Sequence, residues 1–156
     1  MLSRSLSFAV LPIFAELLFL AGPTWAANKP EIYTGFLSNL AVNGYDPAAY
    51  FQKKRPVKGS SRHTLRYQGA TWRFSSQTNL EKFRADPAAY GPRYGGYCAW
   101  AVSQGSTAKG DPMYWRIVDG KLYLNYDASV QARWEKDVPG FIAKSEHNWP
   151  KVLHSN

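Results

Sequence analysis

The sequence predicts an α+β fold, a small single domain in which antiparallel β-hairpins pack against several short helices. Three observations carry this. Two stretches, His63 to Ser75 and Trp115 to Tyr126, alternate apolar and polar residues about a glycine turn, the period-two pattern of a half-buried hairpin. After each of them a Ser or Asp cap opens a short segment with an apolar stripe. Strands and helices are mixed along the chain with hairpin connections alone, which favours antiparallel strands over a parallel crossover sheet. A length of 156 residues allows one domain and excludes a multidomain enzyme, while 45% hydrophobic against 19% charged residues supplies a core rather than a self-repelling disordered chain.

In chain order, Asn43-Gly44 marks a turn and Asp46-Pro47 a helix start, since Asp caps orphan amides and Pro at the first position has no N–H to lose. The pentapeptide Asp46 to Tyr50 returns as Asp86 to Tyr90, but the flanks differ, so the two are read as two uses of one capping device and not as a duplication. The first hairpin turns on Gln68-Gly69 with Leu65, Tyr67, Trp72 and Phe74 apolar. Ser75 or Ser76 then caps a helix carrying Leu80 and Phe83, which stops ahead of Asp86-Pro87 because a residue before proline leaves the helical region. Tyr94 to Gln104 is apolar and rich in small residues. It is expected to be a buried helix entered through Gly95-Gly96, with Cys98 inside it one turn from Ala101 and Val102. The second hairpin turns on Asp119-Gly120, the strongest turn signal in the chain. Asp127 caps a helix with Val130 and Trp134 on its core face, and Pro139 restarts another through Phe141 and Ile142.

Residues 1–26 hold Arg4, an apolar run from Leu6 to Ala21, and small residues at Thr24 and Ala26. This pattern is that of a signal peptide whose removal leaves Ala27 first, so that residues 27–156 form the domain and the protein is periplasmic or secreted. The run is short for a spanning helix and contains Pro12 and Glu16. Cys98 is the single cysteine, which excludes an intramolecular disulfide, a four-cysteine zinc site and a CxxC redox pair. A free thiol is either a buried small hydrophobe or a reactive or ligating group, and both readings stay open.

The residues Asn43-Gly44-Tyr45-Asp46-Pro47 with Ala49-Tyr50-Phe51, then Gly69 to Ser76 through Asp86-Pro87 and Tyr90, then Tyr94-Gly95-Gly96-Tyr97-Cys98-Ala99 resemble exported bacterial proteins with a YHS domain. The tail from Val118 through Trp134 to Asn148-Trp149-Pro150 is similar to the C-terminal half of the same family, which implies a YHS-like domain with a C-terminal helical extension over residues 27–156. The resemblance implies soft-metal binding through cysteines in an Asp-Pro-x-Cys opening and a Phe-Cys-Ser-x-x-Cys stretch. Here those cysteine positions hold Ala49, Ser75 and Asn79, so that site does not carry over.

The remaining candidate metal ligands are Cys98, with His63, His147 and Met113 beside it, a donor set suited to copper although no local spacing joins them. His154 lies in the tail. Tyr94, Tyr97, Trp100 and Trp115 are either core or the lining of a ligand pocket around Cys98. Lys53, Lys54, Arg55, Lys58, Arg62, Arg66 and Arg73 form a run with no acidic residue between Pro47 and Leu80, in a chain of net charge +8. Export argues against nucleic acid as its partner and leaves an acidic protein or an anionic membrane surface, or a face that is merely solvated. No Gly-x-Ser-x-Gly elbow, phosphate loop or His-Glu-x-x-His helix occurs, which leans against an enzyme. Three functions follow as expectations. The first is a non-enzymatic ligand-binding module, with copper on Cys98 as its sharpest form; the others are an interaction module docking through the basic hairpin, and a thiol-dependent enzyme.

Overall fold

The structure is a computed structural model that describes residues 28–154. The leader read over residues 1–26 lies outside the described residues. A tight 3-10 turn at Val42–Gly44 leads to helix α1, Ala49–Lys53, and then to the hairpin of strands β1, Ser60–Tyr67, and β2, Ala70–Phe74. Helices α2, Gln77–Ala85, and α3, Pro87–Tyr90, follow. A second 3-10 turn, Arg93–Gly96, leads to α4, Ala99–Ser103, the hairpin of β3, Asp111–Val118, and β4, Lys121–Asn125, and helices α5, Ala128–Trp134, and α6, Val138–Asn148. Both sheets are two-stranded and antiparallel, as the α+β reading requires.

The caps act as the sequence indicates. Ser76 Oγ accepts from the Asn79 amide at 3.2 Å, Asp86 Oδ1 from Ala89 at 3.0 Å, Asp127 Oδ1 from Val130 at 2.8 Å and Asp137 Oδ1 from Gly140 at 3.0 Å. Both hairpins turn on paired left-handed residues, Gln68-Gly69 and Asp119-Gly120, the twist that matches flanking strands. The helix expected over Tyr94 to Gln104 is a correction. Tyr94, Gly95 and Gly96 all lie at positive φ, which no α-helix tolerates, so the helix starts only at Ala99 and Cys98 precedes it in extended conformation.

The larger finding is an internal repeat. Ser60 and Asp111 are 51 residues apart, as are Ala70 and Lys121, and the two hairpins share one register, with an irregularity after the first pair in each. The caps Ser76 and Asp127 keep that spacing, as do Asp86 and Asp137. The left-handed turns at Val42, Asn43, Gly44 and at Tyr94, Gly95, Gly96 correspond one to one. Tyr45 bridges Lys58 and Tyr97 bridges Lys109, while Leu40 and Pro92 run parallel to Thr71 and Leu122. The chain is thus two copies of one unit, and the pentapeptide at 46 and 86 is not the period, because Asp86 answers to Asp137.

The copies differ in what covers each hairpin. Trp72 packs on Phe83 at 4.7 Å between ring centres and, at the matching places, Tyr123 packs on Trp134 at 5.5 Å. On the opposite face of the second hairpin, Leu122 and Leu124 with Trp115 and Ile117 join the core of the first unit. The Tyr50 hydroxyl also donates to the Pro112 carbonyl at 2.9 Å across the seam. The matching positions of the first hairpin are Thr71, Arg73, Thr64 and Arg66. β4 is buried on both faces and ties two cores into one domain; β2 buries one face only.

Candidate ligand-binding site

Ala49, Ser75 and Asn79, which the resemblance sets at cysteine positions, come together in space around Asp46. This carboxylate is fully buried. Its Oδ1 accepts from the amides of Ala48 at 2.9 Å and Ala49 at 3.3 Å. Its Oδ2 accepts from the Ser75 amide at 2.8 Å, the Ser75 hydroxyl at 2.6 Å and Asn79 Nδ2 at 2.7 Å. A buried carboxylate is tolerable only with its lone pairs filled, and here they are filled by three backbone amides and by the side chains of Ser75 and Asn79. The result is a closed hydrogen-bond knot of hard donors with no soft ligand in it.

Cys98 takes the place of Asp46 in the second unit. The Cys98 amide donates to Ala108 at 2.9 Å as the Asp46 amide donates to Val57 at 2.8 Å. Amides of Ala101, Tyr126 and Trp100 act on its sulfur, at the places of Ala49, Ser75 and Ala48 around Asp46, although that of Trp100 donates to Asn125 Oδ1 at 3.2 Å. Its thiol lies 3.7 Å from Asn125 Oδ1, and it has no exposed surface. Burial pushes the thiol's pKa up, against the pull of those amides. His63 sits on β1, His147 is exposed on α6, and Met113 is exposed on β3. Among the described residues no three His, Cys, Asp or Glu side chains gather closely enough to hold a metal ion. The residues around Cys98 therefore do not fit a copper ion, which needs soft donors and not a ring of amides.

A cleft of about 370 Å³ opens elsewhere, where the two units meet. One wall is the aromatic bank of Tyr67, Trp72 and Phe83 from the first unit; the other is Tyr94 and Trp149. Ring centres within the banks lie 5.7 Å apart for Tyr67 with Phe83 and for Tyr94 with Trp149. Glu31 and Gln68 rim one part, with Gln68 Nε2 donating to Glu31 Oε2 at 3.5 Å, and Arg93 rims another. Arg93 Nη2 donates to Glu146 Oε1 at 2.8 Å, and the Tyr94 hydroxyl donates to the same oxygen at 3.1 Å. Burial raises the Glu146 carboxyl, but the hydrogen bond and charge of Arg93 outweigh it and hold the group below its ordinary range. Arg93 Nε is buried and has no partner. Gly95 permits the closure: a side chain there would run into the Glu31 backbone, and its φ of +60° suits glycine.

Of the four aromatics read as a pocket lining, Tyr94 alone lines this cleft. Tyr97 donates its hydroxyl to the Pro30 carbonyl at 2.9 Å, Trp100 lies beneath Arg133, and Trp115 packs edgewise on Tyr50. Tyr67, Trp72, Phe83, Arg93 and Trp149 were not singled out as site residues by the sequence, because apolar residues of a strand or helix read as core until the seam between units is seen.

A family model described as the YHS domain matches residues 48–94. The chain carries a YHS domain over those residues, which run from the start of α1 to Tyr94 on the cleft wall. Cys98 and the whole second unit beyond Tyr94 lie outside the match. Comparison with curated proteins and with solved structures returned no match.

Proposed function

We propose that this YHS-domain protein is a non-enzymatic binding module that holds a small, flat organic anion in the cleft between its two units. The observation that supports the reading most is the pair of aromatic banks with the Arg93 guanidinium at their rim. Flat rings stack between aromatic walls, and a guanidinium at the rim attracts a carboxylate or similar anionic acceptor. Among the described residues the lining holds one carboxylate, Glu31, and no Cys, Ser, His or Lys, so none of them sets a nucleophile with its base on the cleft. Copper on Cys98, the finer form of ligand binding expected from the sequence, lacks a fitting donor set among the described residues. Trp72 and Trp149 line the site, so titration with benzoate and naphthoate is expected to change tryptophan fluorescence saturably. Arg93→Met is expected to weaken that binding about tenfold or more, the worth of a charge-assisted hydrogen bond. Equal affinity in Arg93→Met, or no saturable change in the native protein, would overturn the reading.

A further inference from the structure

We infer that the first hairpin and the loop beside it form a docking surface for an anionic lipid membrane, with Phe36 and Leu37 as the inserting wedge. Phe36 is 99% and Leu37 is 93% exposed, against 56% for the next most exposed large apolar side chain, Met113. Single exposed apolar residues are ordinary, but two bulky neighbours left bare at one tip are a contact surface waiting for an apolar medium. The tip is held in place. Thr34 pairs with Ala41 behind it, the Ser38 amide donates to Gly35 at 3.0 Å within it, and Asn39 and Ala41 exchange backbone hydrogen bonds with Thr71 of β2 at 2.7 and 3.0 Å.

That attachment sets the wedge on the sheet whose outer face is cationic. Arg66 pairs with Thr71, so it stands two strands from Leu40, about 10 Å across the sheet. Arg62 is exposed on the same strand, and Lys58 lies over the ring of Tyr45, which continues from the loop. The ion pairs among the described residues join Arg84 to Glu81, Arg93 to Glu146 and Arg116 to Glu135, and none neutralises this face. Two side chains are far too little area for a stable protein interface, which needs roughly 800 Å² per partner. They suffice for shallow insertion when several lysines and arginines add their attraction for anionic headgroups.

The test uses the folded chain and vesicles of phosphatidylcholine with or without phosphatidylglycerol, read by co-sedimentation. Expected are binding to the anionic vesicles only, weakening as salt rises from about 0.05 to about 0.5 M, and a loss of about tenfold or more in the Phe36→Ser/Leu37→Ser double variant. Arg62→Glu/Arg66→Glu is expected to abolish binding, and circular dichroism confirms that each variant is folded. Absent binding, equal binding to neutral vesicles, or undiminished binding by the serine double variant would each overturn the inference. Retention on polyglutamate without vesicle binding would overturn it in favour of an acidic protein partner. Because both surface variants leave the cleft untouched, titration with naphthoate separates failure here from failure of the ligand reading.

Discussion

Cys98 and Asp46 show how one backbone arrangement accepts two chemistries. Convergent amides satisfy a carboxylate fully in the first unit and only soften the burial of a thiol in the second. With no exposed surface and its pKa pushed up by burial, Cys98 is a poor nucleophile at neutral pH. Iodoacetamide is therefore expected to label it only at the rate at which the protein unfolds, a rate that rises with added denaturant. Cys98→Ser is expected to cost about 1–3 kcal/mol of stability for a more polar atom in the same recess. The variant should leave ligand affinity in the cleft unchanged, whereas fast labelling of the native protein would restore the thiol-enzyme reading.

Among the elements, β4 carries the most weight, because it is buried on both faces where a hairpin strand commonly buries one. Leu124→Ala is expected to lose about 2–5 kcal/mol in denaturant unfolding, since it opens a cavity where neither unit can collapse alone. Leu65→Ala, on the half-buried face of β1, should lose less. The hairpins and capped helices were legible in the sequence, because period two, the Gln68-Gly69 and Asp119-Gly120 turns and the Ser and Asp caps are local signals. The start of α4 was not: Tyr94 to Ser103 is largely apolar or small, and the left-handed run that delays the helix sets Gly95 against the Glu31 backbone, which is distant in sequence. The repeat was hidden for a related reason. Thr64, Arg66, Thr71 and Arg73 stand where the second unit has Trp115, Ile117, Leu122 and Leu124, so the positions that match in space differ most in hydropathy. Gly44-Tyr45 and Gly96-Tyr97, just ahead of Asp46 and Cys98, were the faint sequence trace of it. Of the candidate cleft, Tyr94 alone was read in advance, since a seam between units has no periodicity of its own.

At the scale of the whole molecule, the aromatic load makes stability depend on alkaline pH. Burial raises the hydroxyl pKa of Tyr50, Tyr94, Tyr97 and Tyr123, and with them the Cys98 thiol. The folded protein keeps these protons where the unfolded chain has begun to release them, so the native state binds more protons and stability falls as pH rises. Their contribution is complete below the unfolded values of about 8.5 for Cys and about 10 for Tyr and is lost above them. The melting temperature is expected to hold from neutrality to about pH 8.5 and to drop steeply through about pH 10. A melting temperature unchanged at pH 11, about one unit above free tyrosine, would contradict the assigned burial.

Stacking of units also has an end. In linear arrays each module shelters the greasy flank of the next, and the outermost module needs a polar flank to stop the growth. Arg66 and Thr64 on the exposed side of β1 are such a flank: a further copy ahead of Ala41 would have to desolvate Arg66 in order to seat itself. That charge makes this flank a poor seat for another unit.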